Sequence, residues 1–424
     1  MNRNLNSIKY FSKHFNCILK SSKYAALSSE TNSIKWPTKE IRKSFLDHFC
    51  GKNKHKFIPS SSVIPRKGSG TYFTNAGMNQ FKSIILGELN SFDIIDYDKY
   101  IGVANSQKCI RIGGKHSDLD TIGKDDNHHT FFEMLGNWSF GKYGKKEACK
   151  FALELLIDTY KLDLKRLYFT YFSGNTIFNI PPDEETKKIW IELGVPEENI
   201  IPFGMKENFW EMDLTGPCGP CTEIHYDRTN ERALNLLNQG DERVIELWNL
   251  VFMQYNRLSE KTFIELPELV VDTGMGLERL SAVLNNLKSN YDIDLFTPIF
   301  SHIDAYLKSK NISLPSIHEC SQDSELKYGY RSIADHIRTI SVAISDGLIP
   351  TRCGLGGYLK HLILKCLRIS NEIFKIPDNQ AEFLCSLVPV VVDTLKDTYS
   401  NLEADKERIQ EVDSENNLYY GISN

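Results

Sequence analysis

Two runs with a strand-like alternation, residues 106–112 and 128–135, flank a polar stretch over residues 113–127, and this arrangement constrains the fold most. A side-chain period of two marks a half-buried strand, so the pair predicts an antiparallel hairpin with an unusually long connection. Loops beyond about a dozen residues are uncommon unless they serve as lids or binding loops. This one carries Lys115, His116, Lys124 and a run of Asp; a merely solvated loop is the competing reading.

The rest of the chain reads as α+β. Residues 39–49 space Ile41, Phe45 and Phe49 helically, residues 57–65 are extended, residues 145–160 form an amphipathic helix on Ala148, Phe151, Leu155 and Leu156, and residues 246–254 are an apolar strand containing Asn249. After about Tyr291 the pattern turns helical, with apolar residues three and four apart over 332–346, 359–374 and 381–399. A domain boundary is placed there. At 424 residues the chain is long for one core, and two or three domains are expected.

Composition excludes several classes. No stretch approaches the roughly 18 apolar residues of a membrane helix, so no membrane partner is expected. Of ten cysteines only Cys218 and Cys221 lie close together, with His225 the sole nearby histidine and no second pair. That spacing argues for reduced thiols and a Gly-Pro turn, with no structural zinc and no metal ligand named. The first 29 residues lack Asp and Glu but hold Arg3, Lys9, Lys13, Lys20 and Lys23, with apolar residues at roughly helical spacing. Residues 1–33 read as a mitochondrial transit peptide, the alternative being a disordered basic tail. Net charge is −5, or −10 without those five cations, so a nucleic acid would need a local basic surface. The stripe of His361, Lys365 and Arg368 on the 359–374 helix would suit phosphates.

Two places carry chemistry. Arg111 ends the first hairpin strand before Gly113 and Gly114 turn the chain, with Lys115 following. A planar guanidinium clamps phosphate oxygens at two points. The run Asp272-Thr273-Gly274-Met275-Gly276-Leu277-Glu278-Arg279-Leu280 joins a strand-end Asp to two glycines and a helix opening with Glu and Arg. Glycines at such a junction let a ligand approach the backbone.

Taken with Thr74-Asn75-Ala76-Gly77-Met78-Asn79-Gln80-Phe81-Lys82, Gln107-Lys108-Cys109-Ile110-Arg111, His128-His129-Thr130-Phe131-Phe132-Glu133-Met134-Leu135-Gly136 and Thr215-Gly216-Pro217-Cys218-Gly219-Pro220-Cys221, these strings resemble the alanyl-tRNA synthetase family over about residues 34–374. The resemblance implies a class II synthetase core over 34–290, an antiparallel sheet flanked by helices. It further implies an all-helical domain over 291–424 that recognises the tRNA acceptor stem. The implied activity is ATP-dependent activation of L-alanine and its transfer to tRNA-Ala, with Mg2+ accompanying the nucleotide.

In that reading Arg111 and Arg279 are catalytic, and ATP is bound by Arg111, His129, Trp210, Leu247, Trp248, Asn249, Gly276 and Arg279. Alanine is bound by Trp210, Asn249, Val251 and Asp272, the last receiving the ammonium. The tRNA is held by Arg352, Lys360, Lys365 and Arg368. Where relatives have Asn, then Arg-Gly-Tyr and an arginine-dense helix, this chain has Pro350-Thr351-Arg352-Cys353-Gly354-Leu355-Gly356-Gly357-Tyr358, which puts the usual reading of the acceptor-stem G·U pair in doubt. No His-x-x-x-His with a later Cys-x-x-x-His occurs before Asn424, so neither the editing nor the C-terminal oligomerisation domain is expected in this chain, and a monomer in the mitochondrial matrix is. A non-catalytic paralogue that binds tRNA or protein, and an adenylating enzyme acting on something other than tRNA, are the rival readings.

Overall fold

The computed structural model describes residues 35–66, 70–113, 117, 119–212, 214–229, 231–321 and 324–414, the side chains of 412–414 excepted. The expected leader over 1–33 lies outside them, as do Gly114, Lys115 and His116 of the hairpin loop. From Trp36 onward the described residues fall in one compact unit.

Nine strands build one sheet: β1 (His55–Phe57), β2 (Gly102–Ile110), β3 (Phe131–Phe140), β4 (Leu167–Phe172), β5 (Ile200–Phe203), β6 (Phe209–Glu211), β7 (Gly216–Asp227), β8 (Val244–Ser259) and β9 (Thr262–Gly276). Their order is β1-β2-β3-β9-β8-β7-β4-β5, with β6 alongside β7. The expected hairpin is present as β2 and β3, antiparallel from Val103 opposite Trp138 to Ile110 opposite Phe131. The expected antiparallel sheet runs through β2, β3, β9, β8, β7 and β4, and an edge strand adds in parallel at either end, β1 to β2 and β5 to β4. Edge strands met through long crossovers leave no hairpin signature in sequence. The expected extended run at 57–65 contributes only the end of β1. The run 215–221 is not a turn; it opens β7, with a register break between Cys218 and Cys221.

Helices flank the sheet. The chief ones are α1 (Thr38–Leu46), α2 (Lys145–Glu154), α3 (Glu184–Glu192), α4 (Leu277–Leu284), α5 (Thr297–Ser309), α6 (Glu325–Ser345), α7 (Gly354–Glu372), α8 (Gln380–Leu395) and α9 (Lys406–Ser414). The α1 spacing turns Ile41 and Phe45 inward, where Phe45, Phe49 and Trp248 pack at ring distances of 4.7–6.2 Å. Burying an aromatic side chain of this kind contributes roughly 1.5–3 kcal/mol. Among the described residues no helix is long and apolar enough to cross a membrane.

Two features tie the helical part to the sheet. Glu133 of β3 is fully buried and accepts two hydrogen bonds from Arg42 of α1, both 2.7 Å, plus one each from Ser106 and Tyr399 at 3.0 Å. Helix α6, opened by the Ser324 hydroxyl accepting from the Lys327 amide, is buried at every position from Gly329 to Ser345. Its charged residues Arg331, Asp335 and Arg338 therefore need internal partners, since an unpaired buried charge costs several kcal/mol.

Candidate active site

Register builds the site on the sheet face opposite the helix-packed core. Along β3 the even-numbered Phe132, Met134, Gly136 and Trp138 share one side. Opposite them in β9 stand Gly276 against Met134, Gly274 against Gly136, and Asp272 against Trp138. In β8, Asn249 faces Gly274 and Val251 faces Asp272. A bulge then intervenes: Trp248 pairs with Ile224 but Glu246 pairs with His225, leaving Leu247 as the extra residue. An extra residue resets the two-residue alternation, and so Glu246 joins the side that carries Asn249 and Val251.

Two adjoining cavities result, sharing Arg111, Met134, Glu246 and Gly274. The first, of about 100 Å³, adds His128, His129, Phe132, Leu247, Gly276 and Arg279. The second, of about 570 Å³ and open to solvent, adds Asn75, Trp210, Glu223, Asn249, Val251 and Asp272. At 274 a Cβ would stand 2.8 Å from the Met134 sulfur, so that the Met134 side chain would have to shift. At 276 a Cβ would meet only the Arg279 stem, at 3.7 Å.

Arg111 follows the last residue of β2, and its amide donates to the Thr130 carbonyl at 2.9 Å. Its guanidinium lies 4.9 Å over the Phe132 ring, with Nε 3.3 Å from the Asn75 carbonyl. Arg279, in the first turn of α4, donates from Nη1 to the Glu246 carbonyl and to its Oε2, at 3.2 and 3.3 Å. Burial raises the Glu246 carboxyl, but Arg279, His225 and Arg111 outweigh it and hold it below the usual range. The arrangement thus gathers two guanidiniums around one carboxylate in a groove lined by β3, β8 and β9.

Asp272 is the opposite case. It is 7 % exposed and receives the Trp138 indole N–H at 2.5 Å. Burial pushes its carboxyl up to about 7, with the indole drawing it partway back. No cation pairs with it among the described residues. Beside it, Asn249 holds a buried Oδ1 without a partner, and Val251 supplies apolar wall. Burial also raises the Glu223 carboxyl, against the lowering effect of His225.

The cavities bring together Arg111, His129, Leu247, Gly276 and Arg279 on one side, and Trp210, Asn249, Val251 and Asp272 on the other. Trp248 is a correction. Its side chain leaves through the opposite face and is 1 % exposed against Phe45 and Phe49, so it does not line the nucleotide side. The resemblance implied an ATP contact here, whereas alternation along β8 sends the side chain into the core. The His129 ring borders the first cavity but is 2 % exposed, stacked on Phe296, with Nδ1 3.4 Å from Asp335. His128 is the more exposed of the two and contacts Asp125 at 2.6 Å.

Glu246, Glu223, Met134 and Asn75 escaped the sequence reading. Asn75 and Met134 lie inside two of the quoted motif strings, and Glu246 is an acid in an otherwise apolar strand; Glu223 left no signal. Of the two phenylalanines after His129 and Thr130, Phe132 lines the cavity and Phe131 is buried beneath Arg338.

The expected tRNA contacts Arg352, Lys360, Lys365 and Arg368 line neither cavity. Arg352 precedes α7, and the other three lie along it. Lys365 reaches to 5.7 Å over Tyr328, and Arg368 makes a loose 3.9 Å pair with Glu372. Cys218 and Cys221 occupy separate apolar clusters, one with Phe172 and Phe209, the other with Val251 and Met212. Among the described residues no group of three or more His, Cys, Asp or Glu is placed to hold a metal.

A family model described as tRNA synthetases class II (A) matches residues 40–420. A mitochondrial alanine–tRNA ligase of Drosophila melanogaster is 47 % identical over 376 residues, covering 88 % of this chain and 36 % of that protein. A cytoplasmic alanine–tRNA ligase of Bombyx mori is 46 % identical, covering 90 % and 39 %. A mitochondrial alanine–tRNA ligase of Homo sapiens is 45 % identical, covering 92 % and 38 %. The chain spans about two fifths of the length of these relatives. A mixed sheet flanked by helices, an arginine at either side of one groove and a family match running through both the sheet and the helical part lead to one statement: the chain belongs to the class II (A) tRNA synthetases.

Proposed function

We propose that this chain activates L-alanine with ATP and passes the alanyl group to tRNA-Ala. The observation that carries the reading is Asp272, a buried carboxylate with no cation of its own, beside the unpartnered Asn249 amide oxygen and next to a groove flanked by Arg111 and Arg279. A desolvated carboxylate stays charged only when a cation meets it, and the alanine ammonium is that cation. Val251 bounds the space for a methyl group.

With the amino group on Asp272, the alanine carboxylate lies toward Arg111, which both cavities share. A carboxylate oxygen attacks the α-phosphorus and the bond to the β-phosphate oxygen breaks. Arg111 neutralises charge at the α-phosphate, and Arg279 that on the departing pyrophosphate. Magnesium needs only one or two protein carboxylates beside the phosphates. Glu246 and Glu223 line the shared groove and fit that requirement; the ion supplies charge neutralisation on the pyrophosphate. Transfer to tRNA is assigned to the face of α7 carrying Lys360, Lys365 and Arg368, with Arg352 before it.

A mitochondrial matrix location is supported by the acid-free, basic first 29 residues and by likeness to mitochondrial ligases, although cytoplasmic ligases are nearly as similar. The deciding experiment is alanine-dependent ATP–pyrophosphate exchange without tRNA, followed by charging of mitochondrial and cytosolic tRNA-Ala. Exchange and charging are expected. Absence of exchange with intact folding would overturn the reading in favour of a binding protein.

A further inference from the structure

Helix α6 sends three buried charges into the back of the nucleotide half. Arg331, Asp335 and Arg338 stand four and three residues apart, a spacing that places them on one helix face. Arg331 pairs with Asp126 and Arg338 donates to Glu278 at 2.9 Å. Asp335, between them, has no Lys or Arg partner among the described residues. Instead it takes the Thr130 amide at 3.0 Å, the Thr130 hydroxyl, and His336 Nδ1 at 3.0 Å. Its Oδ1 also faces His129 Nδ1 at 3.4 Å.

The His129 ring is held on its other sides by rings, stacked on Phe296 at 4.9 Å and edge-on to Tyr291 at 4.8 Å. Both ring nitrogens are buried and neither makes a hydrogen bond; Nδ1 keeps the 3.4 Å approach to Asp335, and Nε2 faces no protein group. In an imidazole the group facing one nitrogen decides what the other nitrogen can offer. Here a residue some 200 positions later in the chain, on a helix outside the sheet, faces Nδ1, while Nε2 is left for a group that the protein does not supply. Thr130, which carries two of the Asp335 hydrogen bonds, also accepts the Arg111 amide through its carbonyl. One carboxylate thus braces both the ring in the cavity wall and the backbone that carries the arginine.

We propose that Asp335 is a positioning residue for the nucleotide, acting through His129. The proposal rests on the adenylation reading above. Burial works against an ionised Asp335, but the adjacent His129 and His336 rings hold it well below the usual carboxylate range, so the brace is a charged one.

The test is Asp335→Asn, which keeps size and one acceptor but removes the charge, assayed by alanine-dependent pyrophosphate exchange and by direct binding of ATP in the absence of alanine. The KM for ATP and the ATP dissociation constant should both rise about tenfold, a typical coupling within one hydrogen-bond network, while the KM for alanine stays unchanged. A purely structural role would lower the melting temperature and move neither ATP constant selectively. In the His129→Phe background, Asp335→Asn should add no further loss of ATP affinity; full additivity would overturn the proposal. Should Asp335→Asn not fold, His129→Phe alone decides: unchanged ATP binding in that variant leaves Asp335 nothing to position. A wild-type protein inactive in exchange would refute the adenylation reading, whereas an active wild type with unaltered ATP constants in the variants refutes this inference alone.

Discussion

Asp272→Asn is expected to stabilise the ligand-free protein at alkaline pH while weakening alanine binding, and both effects trace to one buried charge. Burial raises the Asp272 carboxyl from the ordinary 3.8 to about 7, so the folded protein keeps a proton that the unfolded chain releases above about pH 4. Where the folded state binds more protons, stability falls as pH rises. The wild type therefore loses stability between about pH 4 and pH 7 and stays penalised above that. About three pKa units at roughly 1.4 kcal/mol each give a penalty on the order of 4 kcal/mol at pH 8, against under about 2 kcal/mol at pH 5. Asparagine carries no charge and keeps an oxygen for the Trp138 indole. Urea unfolding of both proteins should show the variant gaining on the wild type by about 3 kcal/mol between pH 5 and pH 8. Alanine supplies the missing cation, so the wild-type KM for alanine should fall as pH rises from 6 to 8, while that of the variant is high and flat. A stability difference independent of pH, or equal rises in the KM for alanine and ATP, would refute the reasoning.

Arg111→Ala should cut pyrophosphate exchange by about 10²–10³-fold with an unchanged melting temperature, as expected for a lost transition-state charge contact; near-normal exchange would remove Arg111 from the chemistry. Glu133→Gln leaves the buried Arg42 without its carboxylate and should cost about 3–5 kcal/mol in urea unfolding; a loss below about 1 kcal/mol would show the network relaxing around the amide. Replacing Lys365 and Arg368 together by Ala should reduce the slope of log affinity for tRNA against log salt by nearly two, about one per phosphate contact. An unchanged slope would place the docking surface elsewhere than on α7.

Local pattern went far with this chain. The two-residue period puts Asn249 and Val251 on one face, and a strand-end Arg111 and the Asp272 to Arg279 run mark both sides of the groove in the sequence itself. The same period contained the answer for Trp248: a residue next to Asn249 in a strand must point the other way, and it joins Phe45 and Phe49 in the core. What sequence determined is chemistry fixed by near neighbours, namely periodicity, glycine at a crowded junction, and an arginine at the end of a strand. Tertiary structure decided the rest. The bulge at Leu247 exists because β7 and β8 fall out of register there, and only that slip brings Glu246 round to meet Arg279. The raised carboxyl of Asp272 comes from desolvation by segments distant along the chain, and the partners of Thr130 and Glu133 lie 205 and 266 residues away in Asp335 and Tyr399. Burial and long-range pairing depend on which elements the fold packs together, a property that no window of neighbouring residues contains.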